Sequence, residues 1–267
     1  MATDEIDGEA HFSIFEITSE WMGSRLSSEQ IEVRVSEMLH RFEPLDPSMR
    51  NWLMLDMPDL KYVNLVDIGP RNAAIIERNR MMEEDEPAPE GGYTIVIKGS
   101  AVPSEYGSPD SIMITLIIGS EWINSVEFHV GAPQYPDDFN VITYLLYRRA
   151  IEILMAIWPC PWAVASYFGD KRAATDQYND HTFNLPWIAY LSPPLAAGLK
   201  PPAGIICEPT PGGGVILSAV DAVIDPANPD HTRRADLLEA ILIDRVGLDA
   251  RTGLPRPAEH PARIGPY

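Results

Sequence analysis

The residue types that carry out nucleophilic catalysis occur in this chain, but not at the spacings that catalysis requires. No Gly-x-Ser-x-Gly sequence is present, and neither Cys160 nor Cys207 has basic neighbours that would lower the pKa of its thiol. The glycine-rich segment 211–214 lacks the Lys and the Ser or Thr of a phosphate-binding loop. We interpret that segment as the turn of a β-hairpin.

Metal binding is also not indicated by the spacing of the histidines. They are scattered, with no pair at i,i+4 and none at zinc-finger spacing; they are His11, His40, His129, His181, His231 and His260. Asp225, Asp230 and His231 lie close together in the sequence. We interpret this segment as a loop that caps the last helix, with Asp230 in the first turn of that helix. The sequence therefore predicts no metal and no cofactor.

Two carboxylates at predicted strand ends are the remaining candidates for catalysis. Asp170 ends one strand and Glu208 ends another. Two such groups facing each other could form a general acid and base pair. Polar residues just outside a core have the same pattern, so both interpretations stay open at this level.

The elements that would position these residues follow from hydrophobic periodicity. Ser27 and Gln30 form a capping box, and the helix behind it ends before Pro44. Further helices are predicted over 71–82, from Asp137 and Asp138 onward, and over 229–244. The predicted strands are short apolar runs bounded by Gly, Pro or Ser: 11–17, 52–57, 93–98, 111–118, 125–130, 162–168, 187–191, 204–208 and 215–220.

Grouped strands with helices between them, and no regular alternation, predict an α+β fold with mixed, largely antiparallel sheets and a few packing helices. We expect one unit over 1–245, or two halves that meet near 159–161. The proline-rich tail at 246–267 contains little hydrophobic sequence and is predicted to be mobile.

The net charge limits the classes of partner. The chain of 267 residues carries 39 Asp and Glu against 20 Lys and Arg, a formal charge of −19. Such a charge repels nucleic acid and anionic lipid and attracts basic proteins. Hydrophobic residues make up 45% of the chain, which is too many for a disordered acidic protein. The first ten residues are acidic, whereas a signal peptide begins with positive charge, so we expect a cytoplasmic protein in which both cysteines are reduced and buried.

The C-terminal third has a recognisable series of segments. They are 162–170 (WAVASYFGD), 185–197 (LPWIAYLSPPLAA), 201–209 (PPAGIICEP), 215–219 (VILSA), and a late Asp-Pro-x-Asn-Pro-x-His at 225–231. Over about residues 140–245 the chain resembles the immunity protein 52 family of bacterial polymorphic-toxin systems. The resemblance implies a small cytoplasmic protein, not an enzyme, that binds and neutralises a cognate toxin such as a nuclease effector delivered by type VI secretion.

A basic nuclease cleft would be matched by carboxylates on its inhibitor, with a few buried aromatic residues supplying most of the affinity. The candidate contact residues are the acids of one segment, a predicted helix start, and two aromatics in polar stretches: Glu83, Glu84, Asp85, Glu86, Glu90, Asp137, Asp138, Trp21 and Tyr106. We expect no contact with nucleic acid or membranes. Two alternatives remain: a small metal-independent hydrolase using Asp170 and Glu208, and an acidic adaptor or chaperone for a secreted protein.

Overall fold

The structure is a computed structural model, which describes residues 13–23, 25–65, 70–83, 86–88, 90–99, 112–130, 141–170, 182–249 and 254–255. The helices are α1 (Ser28–Phe42), α2 (Pro70–Arg78), α3 (Tyr144–Ile157), α4 (Pro193–Ala196) and α5 (Pro229–Val246). The strands are β1 (Ser13–Met22), β2 (Trp52–Asp56), β3 (Lys61–Asn64), β4 (Met82–Glu83), β5 (Glu86–Pro87), β6 (Tyr93–Gly99), β7 (Ile112–Ile118), β8 (Ile123–Val130), β9 (Trp162–Asp170), β10 (Thr182–Leu191), β11 (Ile206–Pro209), β12 (Val215–Ser218), β13 (Leu248–Asp249) and β14 (Leu254–Pro255).

Ten of these strands form one sheet in the order β11-β12-β10-β9-β1-β8-β7-β6-β2-β3. Every pairing in the described part of the chain is antiparallel. The strand from the N-terminus, β1, lies between β8 and β9 and so joins strands from the two halves of the sequence. The α+β class is confirmed.

One face of the sheet buries its side chains under α1, α2 and α3. In β6, β7 and β8 the buried and half-buried residues alternate, as the two-residue period of a strand requires. The row Ile17, Phe128, Ile114 and Ile97 crosses four neighbouring strands, and all four side chains are fully buried. The opposite side chains of these strands are half-buried, and no described helix packs over them.

The sheet around β9, β10 and β12 is buried on both faces. All residues from Trp162 to Ser166, and from Leu185 to Ala189, are buried without alternation. A second hydrophobic cluster, including Trp162, Leu191 and Leu242, lies on the opposite face from the first and packs against α5. Two-sided burial explains why these strands are continuous apolar runs in the sequence.

The helix starts show where local sequence signals hold. Both hydrogen bonds of the Ser27 capping box are present, and Asn228 caps α5 with Asp230 in its first turn, as predicted. The predicted start of α3 is wrong: Thr143 caps it, accepting a hydrogen bond from the Leu146 N–H at 3.2 Å. Asp137 and Asp138 lie outside the described residues.

Other expectations need correction or lie outside the described residues. Cys160 is buried as predicted, but Cys207 is exposed because it lies on the edge strand β11. The predicted strand start at His11 and most of the tail, 250–253 and 256–267, fall outside the described residues. Within the described ranges, none of the helices has the length and apolar character needed to span a bilayer.

Candidate functional site

Exposed apolar side chains concentrate at one end of the sheet. The described residues include nine exposed large hydrophobic side chains, of which Val33, Leu145 and Val223 lie elsewhere. The other six belong to the end of β1, the turns that follow β2 and β7, the strand β4 and the start of β8: Met22, Met57, Leu60, Met82, Trp122 and Ile123. We call this end the turn edge and define it as the described residues 22, 23, 25, 57–60, 82, 83, 86–88, 90 and 119–123.

The antiparallel register brings these segments to the same end. Met22 pairs with Ile123, and Tyr93 pairs with Ile118 just before the β7–β8 turn. Because β2 runs antiparallel to β6, its last residues also point toward the Tyr93 end. The Met81 N–H donates to the Gly92 carbonyl at 2.9 Å, which places β4 beside the start of β6. Residues distant in sequence thus form one surface.

Trp122 is the most prominent of these side chains. It is 60% exposed and lies in the β7–β8 turn. The turn is closed by buried polar groups: the Ser120 N–H donates to Asn124 Oδ1 at 3.1 Å, and Asn124 Nδ2 donates to the Ser120 carbonyl at 3.3 Å. The Trp122 N–H donates to Ser120 Oγ at 3.1 Å. An exposed indole on a rigid turn loses little conformational entropy on binding, which favours affinity.

Neighbouring backbone packs closely against this turn. The Gly23 N–H donates to the Trp122 carbonyl at 3.0 Å, and a Cβ at Gly23 would lie 1.7 Å from the Ser120 carbonyl oxygen. Gly92 has φ of +75°, and a Cβ there would lie 2.5 Å from the Ile118 oxygen. Only glycine fits at both positions, so the turn is held in place from two sides.

The acidic segment, which we define as residues 83–90, lies beside Trp122 at its described residue Glu90. The Glu121 N–H donates to the Glu90 carbonyl at 3.1 Å. Glu86 and Glu90 are exposed, and neither forms an ion pair with a described residue. Glu121 is paired with Arg25. Glu84, Asp85 and the side chain of Glu83 are not among the described parts of the structure. In the sequence these three acids directly precede Glu86. The structure thus brings acids and an exposed aromatic together.

Trp21, predicted as an exposed aromatic anchor in a turn-like stretch, is a core residue. It lies within β1, is 8% exposed, and stacks on Trp158 with ring centroids 6.3 Å apart. The reason is that the alternation of Phe15 and Ile17 continues through Trp21, so β1 extends beyond its predicted end. Tyr106 lies outside the described residues.

Trp122 is not among the contact residues predicted from the sequence. The available signal was a tryptophan two residues after Ser120 in a short turn between two apolar strands, followed by Asn124. A short hairpin turn has no interior in which to bury an indole.

The two carboxylates considered for acid and base catalysis are far apart. Glu208 aligns through β12 and β10 with Ala163, at the opposite end of β9 from Asp170. Seven residues along a strand span about 23 Å, and three strand spacings add about 14 Å across the sheet. Glu208 instead accepts a hydrogen bond from Arg148 Nε at 2.8 Å. An acid and base pair of these two residues is not formed.

The Asp225–His231 segment is an ordered cap. His231 Nδ1 accepts from the Asp225 N–H at 3.0 Å, and Asp225 Oδ1 accepts from the Ala227 N–H at 2.9 Å. Asp230 is paired with Arg233 and Arg234, whose hydrogen bonds lower the pKa of its carboxyl. In the part of the chain that is described, no group of three or more His, Cys, Asp or Glu is arranged to hold a metal ion.

Comparisons with known proteins identify a fold relative. No family model matches the chain, and no curated protein matches its sequence. A T6SS protein of Pseudomonas aeruginosa, PA0821, superposes with a TM-score of 0.53 and 10% identity, covering 88% of this chain and 74% of that chain. A second match is the duplicated taurocyamine kinase from Schistosoma mansoni, at 10% identity over 89% of this chain and 32% of the kinase chain. Its TM-score of 0.25 is too low to indicate a shared fold. This chain therefore shares its fold with a type VI secretion system (T6SS) protein.

Proposed function

We propose that this protein is a cytoplasmic immunity protein that neutralises a cognate toxin of a type VI secretion system by stoichiometric occlusion, without catalysis. The fold similarity to a T6SS protein supports the secretion-system context. The resemblance of residues 140–245 to the immunity protein 52 family supports the inhibitory role. The proposed partner is a basic nuclease domain.

The observation that carries this proposal is the rigid, exposed Trp122 beside the exposed acidic residues Glu86 and Glu90. Buried aromatic anchors supply most of the binding energy in protein interfaces, and tryptophan is enriched among them. Carboxylates around such an anchor accelerate the encounter with a basic partner. The turn edge combines both features on one surface.

The decisive experiment uses the protein encoded by the neighbouring gene. Its expression in the cytoplasm of a host should stop growth, and co-expression of this chain should restore growth and give a 1:1 complex. A chaperone or adaptor would bind its partner without restoring growth. Toxicity that persists despite complex formation would exclude the immunity function.

The role of the acidic segment is tested with two double variants that change the net charge equally. Glu86→Gln with Glu90→Gln should lower the association rate about tenfold at low ionic strength, because steering depends on local charge. The matched control is Asp221→Asn with Asp236→Asn, which removes two exposed carboxylates from the loop after β12 and from α5. Stopped-flow association rates at several salt concentrations provide the measurement. Equal rates for the two double variants would place the acidic segment outside the interface.

A further inference from the structure

The turn between β2 and β3 carries an apolar side chain in a strained backbone. Leu60 has φ of +49° and is the only described non-glycine residue with a positive φ. Its side chain is 77% exposed, the largest exposed fraction among the nine exposed hydrophobics. The left-handed region costs a branched L-residue about 1 kcal/mol, and Gly or Asn would adopt it more easily. Folding alone gives no reason for leucine at this position.

The turn is held rigidly from the α2 side. The Leu60 N–H donates to the Met57 carbonyl at 3.3 Å. The buried Asn79 accepts from the Met57 N–H at 2.8 Å and donates to the Leu55 carbonyl at 2.7 Å. Arg78 bridges the buried Asp56, at 3.0 Å, and Asp59, at 2.9 Å. These contacts fix the backbone and leave the Leu60 side chain without a role in the core.

The Leu60 turn lies at the same end of the sheet as Trp122. The order β8-β7-β6-β2-β3 separates the β7–β8 turn from the β2–β3 turn by three strand spacings, about 14 Å. A protein interface of standard size covers about 800 Å² on each partner, an area that includes both turns. Between the two turns lie the backbone of Glu90 and the start of β6.

We propose that Leu60 is a second apolar anchor of the partner interface, inserted into an apolar pocket on the same basic protein that receives Trp122. This inference rests on the proposed function. The basic character of the partner follows from charge complementarity, because the exposed Glu90 lies between the two anchors and the whole chain carries a charge of −19. Leucine at a strained, exposed position is then retained for binding.

The test separates binding from folding. Leu60→Gly and Leu60→Asn fit the positive φ, so their melting temperatures should equal or exceed that of the native protein. Their dissociation constants for the purified, catalytically inactive product of the neighbouring gene should rise at least fivefold. Leu60→Met, which keeps an apolar side chain, should bind within twofold of the native protein. The matched control is Val33→Ala on α1, which is 62% exposed and away from the turn edge, and it should bind like the native protein.

A second readout reports which side chains lie next to the partner in the complex. The photoreactive substitution Leu60→p-benzoylphenylalanine should cross-link to the partner, whereas Val33→p-benzoylphenylalanine should not. Unchanged affinity of the Gly and Asn variants, with no cross-link at position 60, would overturn the Leu60 anchor while leaving the inhibitor intact. Failure of the native protein to bind the neighbouring gene product would overturn the proposed function and this inference together.

Discussion

The two parts of the single sheet differ in how many of their faces are covered. Around β9, β10 and β12, the side chains of both faces are buried, between α3 on one side and α5 on the other. We call this region the two-sided part and the region of β1, β8, β7 and β6 the one-sided part. In β1, β8, β7 and β6, one face is buried under α1, α2 and α3, and the other is half-buried with no described helix over it. The sheet is continuous through β1, so the difference arises from the placement of the helices.

This contrast separates the residues that build the fold from those available for binding. Two of the segments discussed above, 162–170 and 185–197, run through the two-sided part, where Trp162 and Trp187 are buried core residues. The turn edge lies in the one-sided part, and its large apolar side chains, such as Leu60 and Trp122, are exposed. The buried aromatic core and the candidate binding surface therefore lie in different parts of the sheet.

The largest expected effect is the removal of an indole from the two-sided part. Trp187 is fully buried and contacts the rings of Phe15, Tyr144 and Tyr147 at centroid distances of 5.7, 6.3 and 5.4 Å. Trp187→Ala should lower the free energy of unfolding by about 3–5 kcal/mol. The same change at Trp122 should lower it by less than about 0.5 kcal/mol while weakening partner binding. Urea unfolding measures both variants, and similar destabilisation by the two would contradict the assignment of Trp122 to the surface.

An intermediate effect is expected from adding volume to the same face of the sheet in both parts. Ser166 is 3% exposed and pairs with Glu16, while Ser125 pairs with Glu20 on the same face of β1 and is half-buried. Ser166→Leu should destabilise the protein by about 1–3 kcal/mol through overpacking. Ser125→Leu should change stability by less than about 0.5 kcal/mol. A large loss of stability at Ser125 would show that this face is packed in both parts.

The smallest expected effect on stability concerns Glu16, which lies in β1, the strand that joins the two parts of the sheet. Burial, and secondarily the charge of Glu127, raise the pKa of Glu16 to about 7. The facing residues are Glu127 and His129 on β8 and Ser166 on β9, and burial lowers the pKa of His129. The folded state therefore keeps a proton that the unfolded state has lost, and stability falls as pH rises from about 4.5 to about 7.

Glu16→Gln should remove this loss of stability. Because the side chain is partly exposed, we expect a gain of about 1 kcal/mol at pH 8 and no gain at pH 4. Glu127→Gln should give a smaller gain at pH 8, because it removes only the secondary cause. Thermal unfolding as a function of pH measures both, and a Glu16→Gln variant less stable than the native protein at pH 8 would contradict the sign.

Sequence alone was sufficient where the physical cause is local. The Ser27 capping box, the Asn228 cap, the hairpin around 210–214 and the apolar runs of the strands depend on neighbouring residues, and all are present. The net negative charge follows from the composition, and the run of acids around Glu86 and Glu90 can be read directly from the sequence. The α+β class follows from the order of these elements.

Tertiary structure decided the features that depend on distant residues. Trp21 and Trp122 both lie in polar stretches, but β-pairing buries the first against Trp158 and leaves the second at the tip of a turn. Strand register separates Asp170 from Glu208, places Cys207 on an edge, and brings Leu60 to the same end as Trp122. Hydrophobic periodicity indicates which side chains share a face, but only strand order and register determine which turns share a surface.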